Sequence, residues 1–167
     1  IAPPGTKYEY ANAGFAIAGA MAERVMKRGW EELIEERLFE PLGITTAGFG
    51  APGTPGKIDQ PRGHHVGGAA QEPGPGSDNP TAIGPAGTVH MTVGDWAKYV
   101  RLHLVGETKD GAQLVKPETF VKLHTPVADE PGYAMGWMVA ERPWAGGRVL
   151  THSGSNTMWY CTVWMAP

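Results

Sequence analysis

Between Gly48 and Pro85 the chain carries seven prolines after Gly50, interleaved with many glycines. Proline fixes φ and has no N–H to give a helix or sheet, and glycine leaves the backbone loosely held. No helix or strand of ordinary length can form there. A loop this long is unusual inside a compact domain and is commonly a functional lid or a mobile segment. The whole chain holds 24 Gly and 15 Pro in 167 residues, well above ordinary usage. Yet 41% of its residues are hydrophobic and six are Trp. That is enough apolar surface for a core, so the composition points to long loops rather than disorder.

On either side of the loop the periodicity is helical. From Asn12 to Lys27, apolar residues recur at Phe15, Ile17, Ala18, Met21, Ala22, Val25 and Met26, with small residues on one face. Gly29 suits the position just past the end of that helix, after the cations Lys27 and Arg28. A second helix is expected over Trp30 to Phe39, with Leu33, Ile34 and Leu38 inward and Pro41 as its stop. Thr92, followed by Asp95, reads as an N-cap close to a capping box. That helix runs through Trp96, Tyr99 and Leu102 to Gly106. Pro117 sits well in the first turn of a further short helix. The last part changes character: Tyr133 to Ala140, Arg148 to Ser153 and Met158 to Met165 are rich in Val, Thr, Trp and Tyr and read as antiparallel strands. The expected class is α+β, with a helical region followed by part of an antiparallel β-sheet. Residues 1–126 would be the helical region, including the loop at about 48–90, and 132–167 the strands.

The net charge of −3, with 19% charged residues, offers no basic stripe for nucleic acid. No apolar run approaches the length of a membrane span. Cys161 is the only cysteine, so no internal disulfide can form. Its strand neighbours and lack of an adjacent cation suggest a buried, inert thiol. The first residue is not Met, and the last residues fall at the end of an expected strand. Both ends therefore read as cut from a longer chain.

Three serines are present: Ser77, Ser153 and Ser155. None lies in a Gly-x-Ser-x-Gly elbow, and none is followed three residues later by Lys. Two other stretches could do chemistry. Tyr10 and Asn12 sit where the turn-forming Pro3-Pro4-Gly5-Thr6 gives way to the first helix. A phenol and an amide there can project together into a cleft beside the helix N-terminus; the plainer reading is Asn12 as a helix cap. At Thr151-His152-Ser153-Gly154-Ser155-Asn156 an expected strand runs out into polar residues and glycine. Backbone N–H groups there can face a cavity as an oxyanion hole requires, and His152 can carry a proton near neutral pH. A polar hairpin turn is the alternative. His64, His65 and His90 raise a third possibility, a zinc site. Adjacent loop histidines seldom point the same way, and no His-Glu-x-x-His pattern supports them.

Taken together, the motifs resemble the serine β-lactamase/penicillin-binding protein-like hydrolases, particularly the class C, esterase and D-aminopeptidase branch. Pro4-Gly5-Thr6 with Tyr10-Ala11-Asn12 resembles their second motif, Tyr-x-Asn. Leu38-Phe39-Glu40-Pro41-Leu42-Gly43-Ile44 is similar to a Phe-x-Pro-Leu-Gly-Met segment. Pro85-Ala86-Gly87-Thr88, with Thr92 and Asp95-Trp96-Ala97, is similar to a Pro-Ala-Gly-Gly stretch leading into a helix. Tyr133-Ala134-Met135-Gly136-Trp137 resembles a Tyr-Gly-x-Gly-Trp strand, and His152-Ser153-Gly154 the third motif. These five stretches occur in the family's order across nearly the whole chain. Ser77-Asp78-Asn79 spells another family motif, but it lies in the Pro/Gly loop before Pro80 with no helix around it. Pro61-Arg62-Gly63-His64 resembles a loop stretch common in the family, which implies a wall or lid role for His64.

The resemblance implies an incomplete β-lactamase/transpeptidase-like fold and an acyl-enzyme mechanism without a cofactor or metal. Tyr10 would be the general acid/base, Asn12 its polar partner and His152 the replacement for a cationic Lys. Ser153, Gly154 and Ser155 would bind substrate, with the Ser155 N–H as one oxyanion donor. A tyrosine ordinarily titrates near about 10, so a basic role near neutrality needs positive charge beside it. In the family the Lys of Ser-x-x-Lys supplies that charge. That motif lies N-terminal to Tyr-x-Asn and is absent here. The expectation is an internal fragment of a hydrolase acting on a small-molecule or peptide substrate, itself inactive. His in the third motif favours a peptidase or esterase over a β-lactamase. A non-catalytic binding module is the alternative.

Overall fold

The Pro/Gly run does fold without long elements, and the helices around it depart from their expected ends in instructive ways. The computed structural model describes Pro3 and residues 6–128, 132–156 and 158–167. Pro4 and Gly5 of the lead-in lie outside the described residues. The chain divides into two compact units, one of residues 1–10, 97–153 and 162–167 and the other of residues 11–96 and 154–161.

In the second unit, α1 spans Asn12–Met26. Asn12 is not its cap: Ala11 holds that position in an extended conformation, and no side chain caps the helix. The C-terminal turn is made by Lys27, not by Gly29. Lys27 adopts the left-handed φ of 56° and donates its N–H to Glu23 O at 2.7 Å. Gly29 instead precedes α2 (Trp30–Ile34), donating to the Glu32 carboxylate at 3.3 Å. The packed face of α1 is its small-residue face. Gly19 is buried, and a Cβ there would lie 2.4 Å from Pro85 Cγ, so only glycine permits this approach. Ile17, Met21 and Val25 are exposed.

Pro41 does not stop the second helix. A π-helical turn (Glu35–Phe39) follows α2 and leads into α3 (Glu40–Leu42), which ends at Gly43 with φ 64°. Proline in a regular helix would collide with the carbonyl four residues back, and the wider π turn accommodates it. Leu33, Phe39, Leu42 and Ile44 are buried, and Phe49 stacks on Phe39 and meets Trp30 edge-on. The loop contains β1 (Gly48–Phe49) paired antiparallel with β2 (Val89–His90), two 3-10 turns (Pro75–Ser77 and Thr81–Ile83) and the short α4 (Gly84–Gly87). Thr92 caps α5 (Val93–Val105) through a 3.4 Å bond from the Asp95 N–H. Asp95 also reaches beyond the helix. Its Oδ2 accepts from the N–H groups of Thr45 and Thr46 at 2.8 Å each and from the Thr46 hydroxyl at 2.7 Å.

In the first unit, α6 (Pro117–Leu123) starts at Pro117 as expected. Three strands, β3 (Met138–Arg142), β4 (Gly147–Ser155) and β5 (Tyr160–Met165), form a sheet of order β3-β4-β5. β3 and β4 pair antiparallel, with Met138 opposite Thr151 and Arg142 opposite Gly147. Tyr133 to Trp137 is not strand. Gly136 takes φ 88° and the Ala134 N–H bonds the Trp137 carbonyl at 2.7 Å, closing a tight turn that leaves Tyr133 in an isolated bridge to Met138. Ala134, Trp137, Leu150 and Met165 form the core, flanked by Tyr99, Val100, Val139 and Val163. Cys161 is exposed rather than buried. The α+β organisation, helices first and antiparallel strands after, is the one read from the sequence.

Candidate active site

Tyr10 lies two residues before α1, outside any helix or strand, and is 54% exposed. His152 lies on β4, directly after the buried Val149, Leu150 and Thr151, and is half-buried. The two come from opposite ends of the sequence, and Tyr133 brings them to one place. Its ring meets Tyr10 edge-on at a centroid distance of 5.9 Å and His152 edge-on at 6.5 Å. Tyr8 packs on the same ring at 5.3 Å. The Tyr133 hydroxyl is buried and has no hydrogen-bond partner among the described residues. Burial, and then the neighbouring Tyr10 and Tyr8, push its pKa up to about 12. Tyr133 is therefore a neutral phenol at any working pH. Of the three tyrosines in this contact, Tyr10 is the exposed one, and Tyr8 and Tyr133 are half-buried.

Ser153, also in this unit, donates its hydroxyl to Thr162 Oγ1 at 3.0 Å, and Thr162 Oγ1 donates to the His152 carbonyl at 3.4 Å. Thr151 Oγ1 bonds the Val163 carbonyl at 2.7 Å. The third-motif strand is thus tied to β5 by side chains on both sides of His152.

Asn12, Gly154 and Ser155 fall in the second unit. Asn12 is the exposed first residue of α1. Gly154 lies opposite Cys161, where a Cβ would sit 3.4 Å from Sγ. Ser155 ends β4, and Asn156 organises the turn beyond it. The Asn156 Nδ2 donates to Asp78 Oδ1 at 2.7 Å, and its Oδ1 accepts from the N–H groups of Met158 and Trp159 at 3.0 and 2.9 Å. This gives Ser77-Asp78-Asn79 a structural part. Ser77 Oγ donates to Gly74 O within its own turn, Asp78 holds Asn156, and Asn79 Nδ2 donates to Gly87 O at 2.9 Å.

The loop histidines are dispersed in their partners. His90 Nδ1 lies 2.7 Å from Gly50 O, and His64 is exposed and pairs through its backbone. Among the described residues no group of three or more His, Cys, Asp or Glu side chains is placed to hold a metal ion. Beside His64, Gly63 packs so closely on Trp159 that a Cβ would come within 2.7 Å of the indole.

Sequence reasoning missed the structural parts played by Tyr8, Tyr133 and Asn156. Asn156 had a signal, being a turn-forming residue with a side chain able to collect backbone N–H groups. The tyrosines had none, because a ring contact between segments remote in sequence leaves no local pattern.

The family model described as Beta-lactamase matches residues 1–167. The chain belongs to the beta-lactamase family. Within that family it is 28% identical over 166 residues to penicillin-binding protein 4 of Amycolatopsis lactamdurans, a match covering 92% of this chain and 42% of that protein. A shorter match, 43% identical over 44 residues, relates 26% of the chain to 8% of a D-aminopeptidase of Brucella anthropi. Among solved structures, the octameric penicillin-binding protein homologue from Pyrococcus abyssi shares the fold with a TM-score of 0.74 at 24% identity, covering 99% of this chain and 37% of that one. A D-stereospecific amidohydrolase from Streptomyces sp. does so with a TM-score of 0.71 at 21% identity, over 91% of this chain and 44% of that one. This member of the beta-lactamase family thus spans less than half the length of each of these relatives. No described helix is long and apolar enough to cross a membrane.

Proposed function

We propose that this chain supplies the second- and third-motif side chains of a serine hydrolase that cleaves amide or ester bonds through an acyl-enzyme. The observation that carries the reading is the meeting of Tyr10 and His152 on the ring of Tyr133. Two motif residues from the ends of the chain share one support, with the phenol exposed and the imidazole half-buried.

In this reading the nucleophilic serine and its lysine belong to a Ser-x-x-Lys outside the present sequence. The serine oxygen bonds to the substrate carbonyl carbon while its proton passes to Tyr10, held as the base by that lysine's charge. Tyr10 returns the proton to the departing amine or alcohol as the carbonyl–nitrogen or carbonyl–oxygen bond breaks. Water then repeats the cycle on the ester, releasing the acid and restoring the serine. Asn12 holds a polar group of substrate or the lysine. His152 replaces a cationic lysine, Ser153 and Gly154 bind substrate, and the Ser155 N–H is one oxyanion donor. The 167 residues alone perform no turnover.

His152 at the third motif favours small peptide or ester substrates over penicillins. The names of relatives, a D-aminopeptidase and a D-stereospecific amidohydrolase, support that preference. Steady-state kinetics on the complete gene product test it with D-amino-acid amides, short esters and a penicillin. The expected kcat/KM is higher for the amides or esters. Efficient penicillin hydrolysis with no esterase or D-peptidase activity would overturn the preference.

A further inference from the structure

Tyr10 is a proton carrier by this reading, yet no regular secondary structure holds it. It lies two residues before α1 and is exposed. A group that must transfer protons needs a fixed direction, since a displacement of about 1 Å at a reacting group can lower a rate by roughly 100-fold. We propose that Tyr133 is the positioning residue of this site: its ring sets the direction of both Tyr10 and His152, and its hydroxyl takes no part. The inference rests on the functional reading given above.

Three observations support it. First, Tyr133 is the ring that both motif side chains touch, each edge-on, at 5.9 Å and 6.5 Å. Such separations lie in the range where aromatic edges and faces attract and resist sliding. Second, Tyr133 is itself anchored. The Val139 N–H bonds the Gly132 carbonyl at 2.8 Å, the Ala134 N–H bonds the Trp137 carbonyl at 2.7 Å, and both Ala134 and Trp137 are core residues. Tyr8 packs on the Tyr133 ring at 5.3 Å. The ring is therefore fixed by the hairpin and the core, while Tyr10 depends on it.

Third, the hydroxyl is buried without a hydrogen-bond partner among the described residues. A buried polar group left unpaired destabilises a fold, so a phenylalanine here loses nothing and spares that penalty. Burial also keeps the phenol neutral, so it cannot compete with Tyr10 for the proton. Both arguments assign the work to the ring.

The test compares Tyr133→Phe and Tyr133→Leu in the complete gene product, reading acylation rate, KM, pH profile and the NMR signals of the His152 imidazole. Tyr133→Phe is expected to keep the acylation rate within about twofold and to leave the His152 signals in place. Tyr133→Leu is expected to lower the acylation rate roughly 10- to 100-fold with little change in KM, and to shift the His152 signals as the ring current is lost. Equal loss in both variants would overturn the proposal by assigning the work to the hydroxyl. So would a Leu variant with unchanged rate and unchanged His152 signals. If Tyr133→Leu does not fold, nuclear Overhauser contacts from the Tyr133 ring to Tyr10 and His152 in the unaltered protein decide the ring geometry, and their absence overturns it. The NMR arm is independent of turnover. A protein in which Tyr10→Phe leaves acylation intact while the His152 signals still follow the ring would lose the functional reading and keep the positioning one.

Discussion

In the unit made of residues 1–10, 97–153 and 162–167, aromatic rings do most of the positioning, whereas the unit of residues 11–96 and 154–161 relies on carboxylates and amides that gather N–H groups. The first holds Tyr10 and His152 on Tyr133 and packs His103 among Tyr99, Phe120, His124 and Trp137. The second fixes its loops with Asp95 on Thr45 and Thr46, Asn156 on Met158 and Trp159, and Asp78 on Asn156. The difference follows from composition. A Pro/Gly-rich chain leaves many backbone N–H groups without ladder partners, and short polar side chains are the means of satisfying them. The strand-bearing unit satisfies its backbone in the sheet and is free to use rings.

If that contrast is right, the second unit should fail sharply when one staple is removed. Asp95→Ala leaves the Thr45 and Thr46 N–H groups without their acceptor at a site where Asp95 is 5% exposed. We expect a loss of about 3 to 4 kcal/mol in denaturant unfolding, since bonds to a charged acceptor count for more than neutral ones. A loss below about 1 kcal/mol would erase the contrast.

The ring-packed unit should instead be sensitive to acid. His103 Nδ1 and His124 Nε2 lie 2.9 Å apart, so only one proton fits between them. Burial, followed by the charge on His124, lowers the His103 pKa from 6.5 to about 4. Burial and then Arg148, whose guanidinium bonds the His124 carbonyl, lower that of His124. The buried Tyr99 hydroxyl, its pKa raised by burial, adds no charge on the other side. The unfolded chain takes up the proton near 6.5 and the folded chain only near 4, so the unfolded state binds more protons between them. Stability should therefore fall as pH drops from about 6.5 to about 4, by on the order of 3 kcal/mol for His103. His103→Gln should flatten that slope. An unchanged slope would remove the pair from the account.

The smallest effect concerns close packing in the second unit. Alanine at Gly19 gains about 1 kcal/mol of helix propensity. Against this, its Cβ would meet the Pro85 ring at 2.4 Å, and overpacking costs about 1 to 3 kcal/mol. A proline ring cannot rotate away, so Gly19→Ala is expected to destabilise by about 1 to 2 kcal/mol. Stabilisation would show that the helix slides freely on Pro85.

The parts legible in the sequence were those with local causes. Thr92 and Pro117 mark helix starts by their own chemistry, and the runs Arg148 to Ser153 and Met158 to Met165 show strand composition. The order of the motif stretches was enough to indicate the family. What was not legible depended on remote partners. Asn12 is a helical residue rather than a cap, because Ala11 takes the extended position. The Pro41 stop failed because a π turn absorbs the missing N–H. The large apolar residues of α1 face outward, because Pro85 selects the glycine side. Cys161 is exposed although its neighbours in sequence are strand residues. Tyr133 read as part of a motif, and its contacts with Tyr10 and His152 exist only once the chain is folded.

In the proposed mechanism Tyr10 moves the proton during acylation. Rapid-mixing measurement of the acylation burst on a chromogenic ester, with the complete gene product carrying Tyr10→Phe or His64→Ala, tests it most directly. Tyr10→Phe is expected to slow acylation by roughly 100- to 10,000-fold, the usual reach of general acid–base catalysis, while His64→Ala changes it mildly. Comparable losses from both variants, or an undiminished burst in Tyr10→Phe, would contradict it.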